Sequence, residues 1–346
     1  MKAAENAAAP SREQFRLRKI IILTLLSLAA IGVSIFLSVT LGSRQVSYDD
    51  VISGLFGDAQ KTLGAAVVNE RIVRTVFSLL AGAALGVAGA LMQAVTRNPI
   101  ADPGILGVNT GASLFVVAGI AFGGISTASQ YIWLALLGAG ITSVFVYGIG
   151  SMGHGGATPI KLALAGTAAS AALSSLVTAI MLPRGQVMDT FRFWQVGSVG
   201  GASWESILMI LPFLAAGMVI GLMAAPALNA LALGDDVATG LGVNTSALRI
   251  IGAAAGVMLC GAITALAGPI GFVGLMAPHA IRLILGPDQR ILIPMSAVAG
   301  ACVLTLSDVA GRLLGRPGEL EVGVVTAFIG APILVAIAVK SKVSTV

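Results

Sequence analysis

Charge is what this chain has least of. Only 10% of its 346 residues are Asp, Glu, Lys or Arg, against roughly 25% in a soluble domain. So few charges cannot cover a water-facing surface, and a soluble globular protein is excluded. Histidines number two and cysteines two. Cys260 and Cys302 lie in apolar runs, with neither metal-ligand spacing nor a disulfide framework. No series of Asp, Glu or His crosses an apolar run, so a proton relay has no parts. No G-x-x-x-x-G-K-S/T string occurs, so the chain does not cradle nucleotide phosphates by that route. Gly-Ala-Ser at 111–113 and 201–203 is too weak to supply a nucleophile. No catalytic residue and no metal site is assigned, and an intramembrane enzyme is disfavoured.

What the chain does have is apolar length. Hydrophobic residues make up 57% of it, glycines number 44, and the mean hydropathy is +0.97. The apolar runs are continuous rather than alternating, which points to helices and not to a barrel. They fall at roughly 20–41, 74–95, 105–123, 131–150, 161–182, 204–224, 249–267, 270–285, 291–312 and 322–340. The expected fold is an all-α polytopic membrane protein with about ten transmembrane helices. Residues 1–19 form a polar tail, 20–340 a single transmembrane domain, and 341–346 a second tail. The first run is long for a signal-peptide core and reads as a retained anchor. An even number of crossings puts both termini on one side, and the bias of Lys and Arg makes that side cytoplasmic. The net charge of +5 is spread among loops and makes no nucleic-acid patch. GAALGV at 82–87 matches GAAAGV at 252–257, which suggests two inverted five-helix halves. LGVNT occurs at 106–110 and again at 241–245; it does not fit that repeat and reads as chance or local turn chemistry.

The chain is organised around residues 71–111. Arg71 and Arg74 stand before a long apolar run in which Gly82, Gly86 and Ala90 recur every four residues. That spacing flattens one helix face so that another backbone can come close. Asn98-Pro99 and Asp102-Pro103-Gly104 then turn the chain. Near the other end, Asp308 and Arg312 are four apart and suit an ion pair on one helix face. His279 reads as a helix-start or loop-packing residue rather than a metal ligand. Residues 225–248 read as the longest inner loop after the tail, with a short helix from about Asp235 and a break at Gly240 and Gly242.

These strings together resemble the FecCD family of permeases, which import iron chelates and vitamin B12 with ATP-binding-cassette partners. The arginine pair, Gln93 and the loop Asn98-Pro99-Ile100-Ala101-Asp102-Pro103-Gly104 match its signature, with Ile100 where Leu is usual. Asn229, Leu231, Leu233, Gly234, Asp235, Ala238, Leu241 and Gly242 match the family's ATPase-contacting loop. The likeness continues through AGPIGFVGLMAPHAIR at 267–282, SDVAGR at 307–312 and PGELEVGVVTAFIGAP at 317–332. Gln289 stands where His is usual, and Glu321 where Pro is usual.

The resemblance implies a permease subunit in the bacterial cytoplasmic (inner) membrane. Its partners would be a second permease copy or paralogue, two cytoplasmic ATPase subunits and an extracytoplasmic binding protein. ATP and Mg would sit on the ATPase, with no cofactor on this chain. The cargo it implies is a ferric siderophore, with haem or cobalamin as alternatives, and an ion-coupled secondary transporter is the rival class. Arg71, Arg74 and Arg312 would dock the binding protein; from the residues alone they equally suit anchors for helix ends at the lipid headgroups.

Overall fold

Every apolar run read from the sequence becomes a helix. The computed structural model describes residues 12–57, 62–125, 127–152 and 158–343. Its helices are α1 (Arg12–Thr40), α2 (Tyr48–Phe56), α3 (Leu63–Thr96), α4 (Val108–Gly123), α5 (Ala128–Gly150), α6 (Pro159–Met181) and α7 (Gly185–Gln195). They continue with α8 (Trp204–Ala232), α9 (Asp235–Gly240), α10 (Thr245–Ala267), α11 (Val273–Leu285), α12 (Gln289–Leu314) and α13 (Val322–Val343). There is no strand among the described residues. Seven helices, α1, α3, α5, α6, α8, α10 and α12, are long and apolar enough to cross a membrane. The apolar helices α4 and α11, and the apolar part of α13, are shorter.

Four expectations are corrected. Helix α1 begins at Arg12, so the second half of the polar tail is helical. Helix α8 continues through Pro226 to Ala232, which shortens the loop expected over 225–248. Helices α2 and α7 occupy segments that lie between the apolar runs, where the sequence reading places no helix. His279 lies within α11, not at its start, and lines a cavity of about 860 Å3 between α11, α12 and α13. The other histidine, His154, lies outside the described residues.

Local chemistry explains the boundaries. Ser47 and Asp50 form a reciprocal capping box that starts α2. Thr62 caps α3, and its hydroxyl also donates to Asp50, which joins the two starts. The two LGVNT strings share a device: Gly107 (φ 72°) and Gly242 (φ 83°) are both left-handed and both lie just ahead of a helix start. Between α10 and α11 the backbone is irregular. Gly268 and Phe272 both have positive φ there, and a Cβ built on Gly268 would strike the carbonyl of Trp194 in the last turn of α7.

Helix α3 is the most enclosed of the long helices, with 78% of its apolar window buried. Its partner on one side is α12. A Cβ built on Gly82 would strike the Gly300 carbonyl, and one on Gly86 the Ser296 carbonyl. The two backbones therefore touch with no side chain between them, a packing that only small residues allow in lipid. Ala90 continues the same face and is fully buried. Gly89 meets the backbone of Gly274 in α11 in the same way.

Gly86→Leu should displace α12 and cost about 3 kcal/mol or more, the upper range for overpacking. Gly140→Ala, where a new Cβ meets nothing within 4 Å, should be neutral or slightly stabilising. Thermal unfolding of the two detergent-purified variants, followed by fluorescence size-exclusion, measures the contrast.

Candidate functional site

Two polar clusters stand out against the apolar body, one at each end of the α3–α12 pair. The first begins with the end of α1. A helix leaves its last carbonyls without partners, and α1 stops at Thr40 with its final turn against α3 and α12. Two guanidiniums take up those carbonyls. Arg71 Nη1 donates to Val39 O (3.2 Å) and Thr40 O (3.1 Å), and its Nη2 donates to Arg44 O (2.6 Å). Arg312 Nη1 donates to Ser38 O and Leu41 O, both at 2.9 Å, and its Nη2 to Ser38 Oγ at 2.8 Å.

Asp308 binds this cluster together. Its carboxylate is fully buried. It accepts from Arg74 Nε (3.0 Å) and Arg74 Nη2 (2.6 Å), and Arg312 Nε lies 3.0 Å from its Oδ2. One buried negative charge therefore serves two cations, one from α3 and one from its own helix. Arg74 Nη1 also donates to Glu319 (2.6 Å), which in turn accepts from Ser43 (2.7 Å). Burial alone would push the Glu319 carboxyl upward. The Ser43 hydroxyl and the Arg74 guanidinium outweigh that and hold it below its ordinary value.

Sequence reading put Arg71, Arg74 and Arg312 at a partner-facing rim. The structure turns Arg71 and Arg312 inward, at 5% and 1% exposure, because neighbouring oxygens take up their Nη donors and the Asp308 carboxylate lies beside Arg312 without a well-aligned bond to its Nε. Only Arg74, with 13% of its side chain exposed, reaches toward the surface. Arg44 and Arg316 are the exposed cations beside them. Glu319, which closes the cluster, was not singled out from the sequence, although it lies within the matched 317–332 string.

The second cluster surrounds α9. Asp235 at its start pairs with Arg249 of α10 (2.9 Å) and lies 3.6 Å from Arg97, the left-handed cap of α3. Gly234 (φ 116°) and Gly242 (φ 83°) bracket the short helix with turns that suit glycine. Ala238 and Leu231 are buried. Leu233, Val237 and Leu241, spaced by four, are exposed at 66%, 49% and 64%. Val237 is on α9, while Leu233 is the C-cap of α8 and Leu241 that of α9, so this exposed apolar ridge flanks the short, ion-paired helix rather than following one helical face. Val237 was missed from the sequence; its place at the midpoint of the four-residue spacing was the available signal. Asn229 is not on this ridge. Its side chain bonds Asp288 and the Gln289 N–H at the start of α12.

The loop after α3 is a packing element. Asn98 Oδ1 accepts from Ile100 N, and Pro99 follows. Asp102 caps the single 3-10 turn Pro103–Leu106 by accepting from Gly104 N (2.7 Å). Burial pushes the Asp102 carboxyl up, against the opposing pull of that N–H. Gln93 locks the loop region to α11, donating to Gly274 O (3.3 Å) and accepting from Arg282 (2.9 Å).

With this geometry described, comparisons with known proteins become informative. The FecCD transport family model matches residues 29–340. The ferric enterobactin transport system permease protein FepD of Escherichia coli K12 is 43% identical over 300 residues, covering 86% of this chain and 89% of its own. The Fe(3+)-citrate import system permease protein YfmD of Bacillus subtilis 168 is 38% identical over 338 residues, 97% of this chain and 98% of its own. A solved metal-chelate type ABC transporter in an inward-facing conformation superposes with a TM-score of 0.79 at 25% identity, covering 92% of this chain and 98% of that one.

Asp308→Ala should leave two guanidiniums at a buried site without their carboxylate and cost about 3–5 kcal/mol. Glu319→Gln should cost under about 1 kcal/mol, as for exposed pairs. Because Glu319 is held low, its contribution is complete above its ordinary value of 4.5 and disappears as pH falls below that. Melting curves of the wild type and Glu319→Gln between pH 7 and pH 3 should therefore converge at the acid end.

Proposed function

The chain belongs to the FecCD transport family, and on that premise we propose that it is the gate of an ATP-driven importer whose motor and courier are other polypeptides. The ridge on α9 is the observation that carries this reading. A chain without a nucleotide motif exposes Val237 on a short helix, with Leu233 and Leu241 flanking its two ends and Arg97 and Arg249 beside its first residue. An apolar ridge flanking an ion-paired helix suits a groove on a cytoplasmic ATPase, in the manner of helix-in-groove docking. Ten crossings in two inverted halves, with both ends inside, would put α9 on the cytoplasmic face and the Asp308 cluster on the outer one. A second copy or a paralogue of this chain would complete the pathway.

At the outer face the buried arginines shape the rim, and the exposed Arg44, with Arg316 held in place by the Gly42 carbonyl (2.6 Å), would present positive charge to a binding protein. Cations at an interface rim fix register and speed encounter more than they add affinity. The cargo class is a ferric chelate, the chemistry named for both relatives above. Enterobactin and citrate differ greatly as ligands, so chelate identity is expected to reside in the binding protein. Transport follows from alternation: the ATPase dimer closes, moves α9, and biases the permease between two states.

Val237→Asp with Leu241→Asp should weaken association with the cognate ATPase at least about tenfold, since two charges would enter an apolar contact. Co-purification from membranes reads this directly, and unchanged recovery of the ATPase would refute the ridge. Arg44→Glu with Arg316→Glu should slow capture of the binding protein at low salt and have little effect at high salt.

A further inference from the structure

The two polar clusters lie at opposite ends of one rigid object, and Asn229 is the side chain that attaches α8 to it. Helix α12 has 26 residues, about 39 Å of length. Its outer end carries Asp308 and Arg312. Its inner end begins at Asp288, whose carboxylate caps it by accepting from Arg290 N (3.0 Å). Asn229 of α8 makes a two-way bond at that point. Its amide nitrogen donates to Asp288 Oδ1 (2.7 Å), and its amide oxygen accepts from Gln289 N (2.8 Å). One end of the amide satisfies an orphan N–H of the first turn and the other binds the capping carboxylate. An amide is the side chain that can do both at once.

From Asn229, α8 runs only to Ala232 before the α9 ridge begins. A displacement of α9 therefore reaches Asn229 within one helical turn and passes to the start of α12. Beyond Pro294, which lies one turn after the helix start, α12 and α3 touch backbone to backbone at Gly82, Gly86, Ser296 and Gly300, so the displacement is carried by the pair. At the inner end α3 is not independent either, since Arg97 lies beside Asp235. Close-packed elements of this kind shift as a unit rather than deform.

We propose that Asn229 is a positioning residue that couples the ATPase-facing helix to α12, so that movement at α9 is delivered to the Arg74–Asp308–Arg312 cluster at the far end. This role rests on the importer reading above and gives Asn229 a duty distinct from contact with the ATPase. In this role the amide is engaged by Asp288 and the Gln289 N–H rather than by the motor subunit.

The test uses the complete transporter in proteoliposomes, with the cognate ATPase inside and chelate-loaded binding protein outside. Asn229→Ala should keep ATPase association within about twofold of wild type. Stimulation of ATP hydrolysis by loaded binding protein, and chelate uptake, should each fall at least about fivefold. Asp288→Ala cuts the same bond from the α12 side and should reproduce the loss. The double variant should be no worse than the more impaired single variant, since one connection is removed. Asp288→Asn keeps an acceptor oxygen for both N–H groups and should retain most coupling, which separates loss of the connection from loss of the fold. Loss of ATPase association in Asn229→Ala would make the residue a docking contact and overturn the proposal. So would stimulation and uptake within about twofold of wild type, or additive losses in the double variant. Failure of the wild-type chain to associate with any ATPase would instead overturn the importer reading itself.

Discussion

The direct contact of the α3 and α12 backbones is the constraint on which the rest of this structure depends. In lipid there is no hydrophobic drive between helices, and packing must come from close surface match and from polar bonds. Gly82 and Gly86 against Gly300 and Ser296 supply the match. The Asp308 carboxylate, shared by Arg74 and Arg312, supplies the polar bond at one end of the pair. Helix α1 depends on the same pair, since the guanidiniums of Arg71 and Arg312 accommodate its final carbonyls. The remaining helices pack outward from α3, which is why it is so enclosed.

Charge in such a protein is scarce and is used twice. Arg312 neutralises a buried carboxylate and also caps a helix belonging to a distant part of the sequence. Asp235 begins α9 and holds two cations from two other helices. The buried Arg312–Asp308 pair is costly unless its donors and oxygens are occupied, whereas Asp235 is 45% exposed and its pairs are worth little individually. Occupation by internal partners is what removes Arg71 and Arg312 from the surface, and with it the simplest version of a charged docking rim.

Much of the architecture was legible before any coordinates. Continuous apolar runs located all ten apolar helices, because length and hydropathy are set by local composition. The Gly82, Gly86, Ala90 spacing marked a face for close packing, and the i,i+4 relation of Asp308 and Arg312 marked an ion pair. What could not be read was which cation belonged to which distant carbonyl. Arg71 and Arg74 look alike in the sequence, yet one caps α1 and the other joins Asp308. Asn229 looked like part of a loop because the apolar run read from the sequence ends at 224, whereas α8 continues through Pro226 to Ala232. Proline is tolerated there because a membrane bundle can re-satisfy the freed carbonyl. The reciprocal Ser47–Asp50 pattern that starts α2 was visible in the sequence, but the apolar-run criterion alone passed over it.

The irregular backbone before α11 carries a consequence for the surrounding bilayer. Helix α11 has 13 residues, about 20 Å of rise, against a hydrocarbon thickness of about 30 Å. Residues 268–272, which precede α11, are not helical, and peptide groups of that kind tolerate no contact with acyl chains. The turn after α7 covers them, with Trp194 against Gly268 and the Ser198 N–H bonded to the Ala267 carbonyl at 2.8 Å. Wherever a bilayer meets this bend, α7 and the turn after it stand between the bend's backbone and the acyl chains.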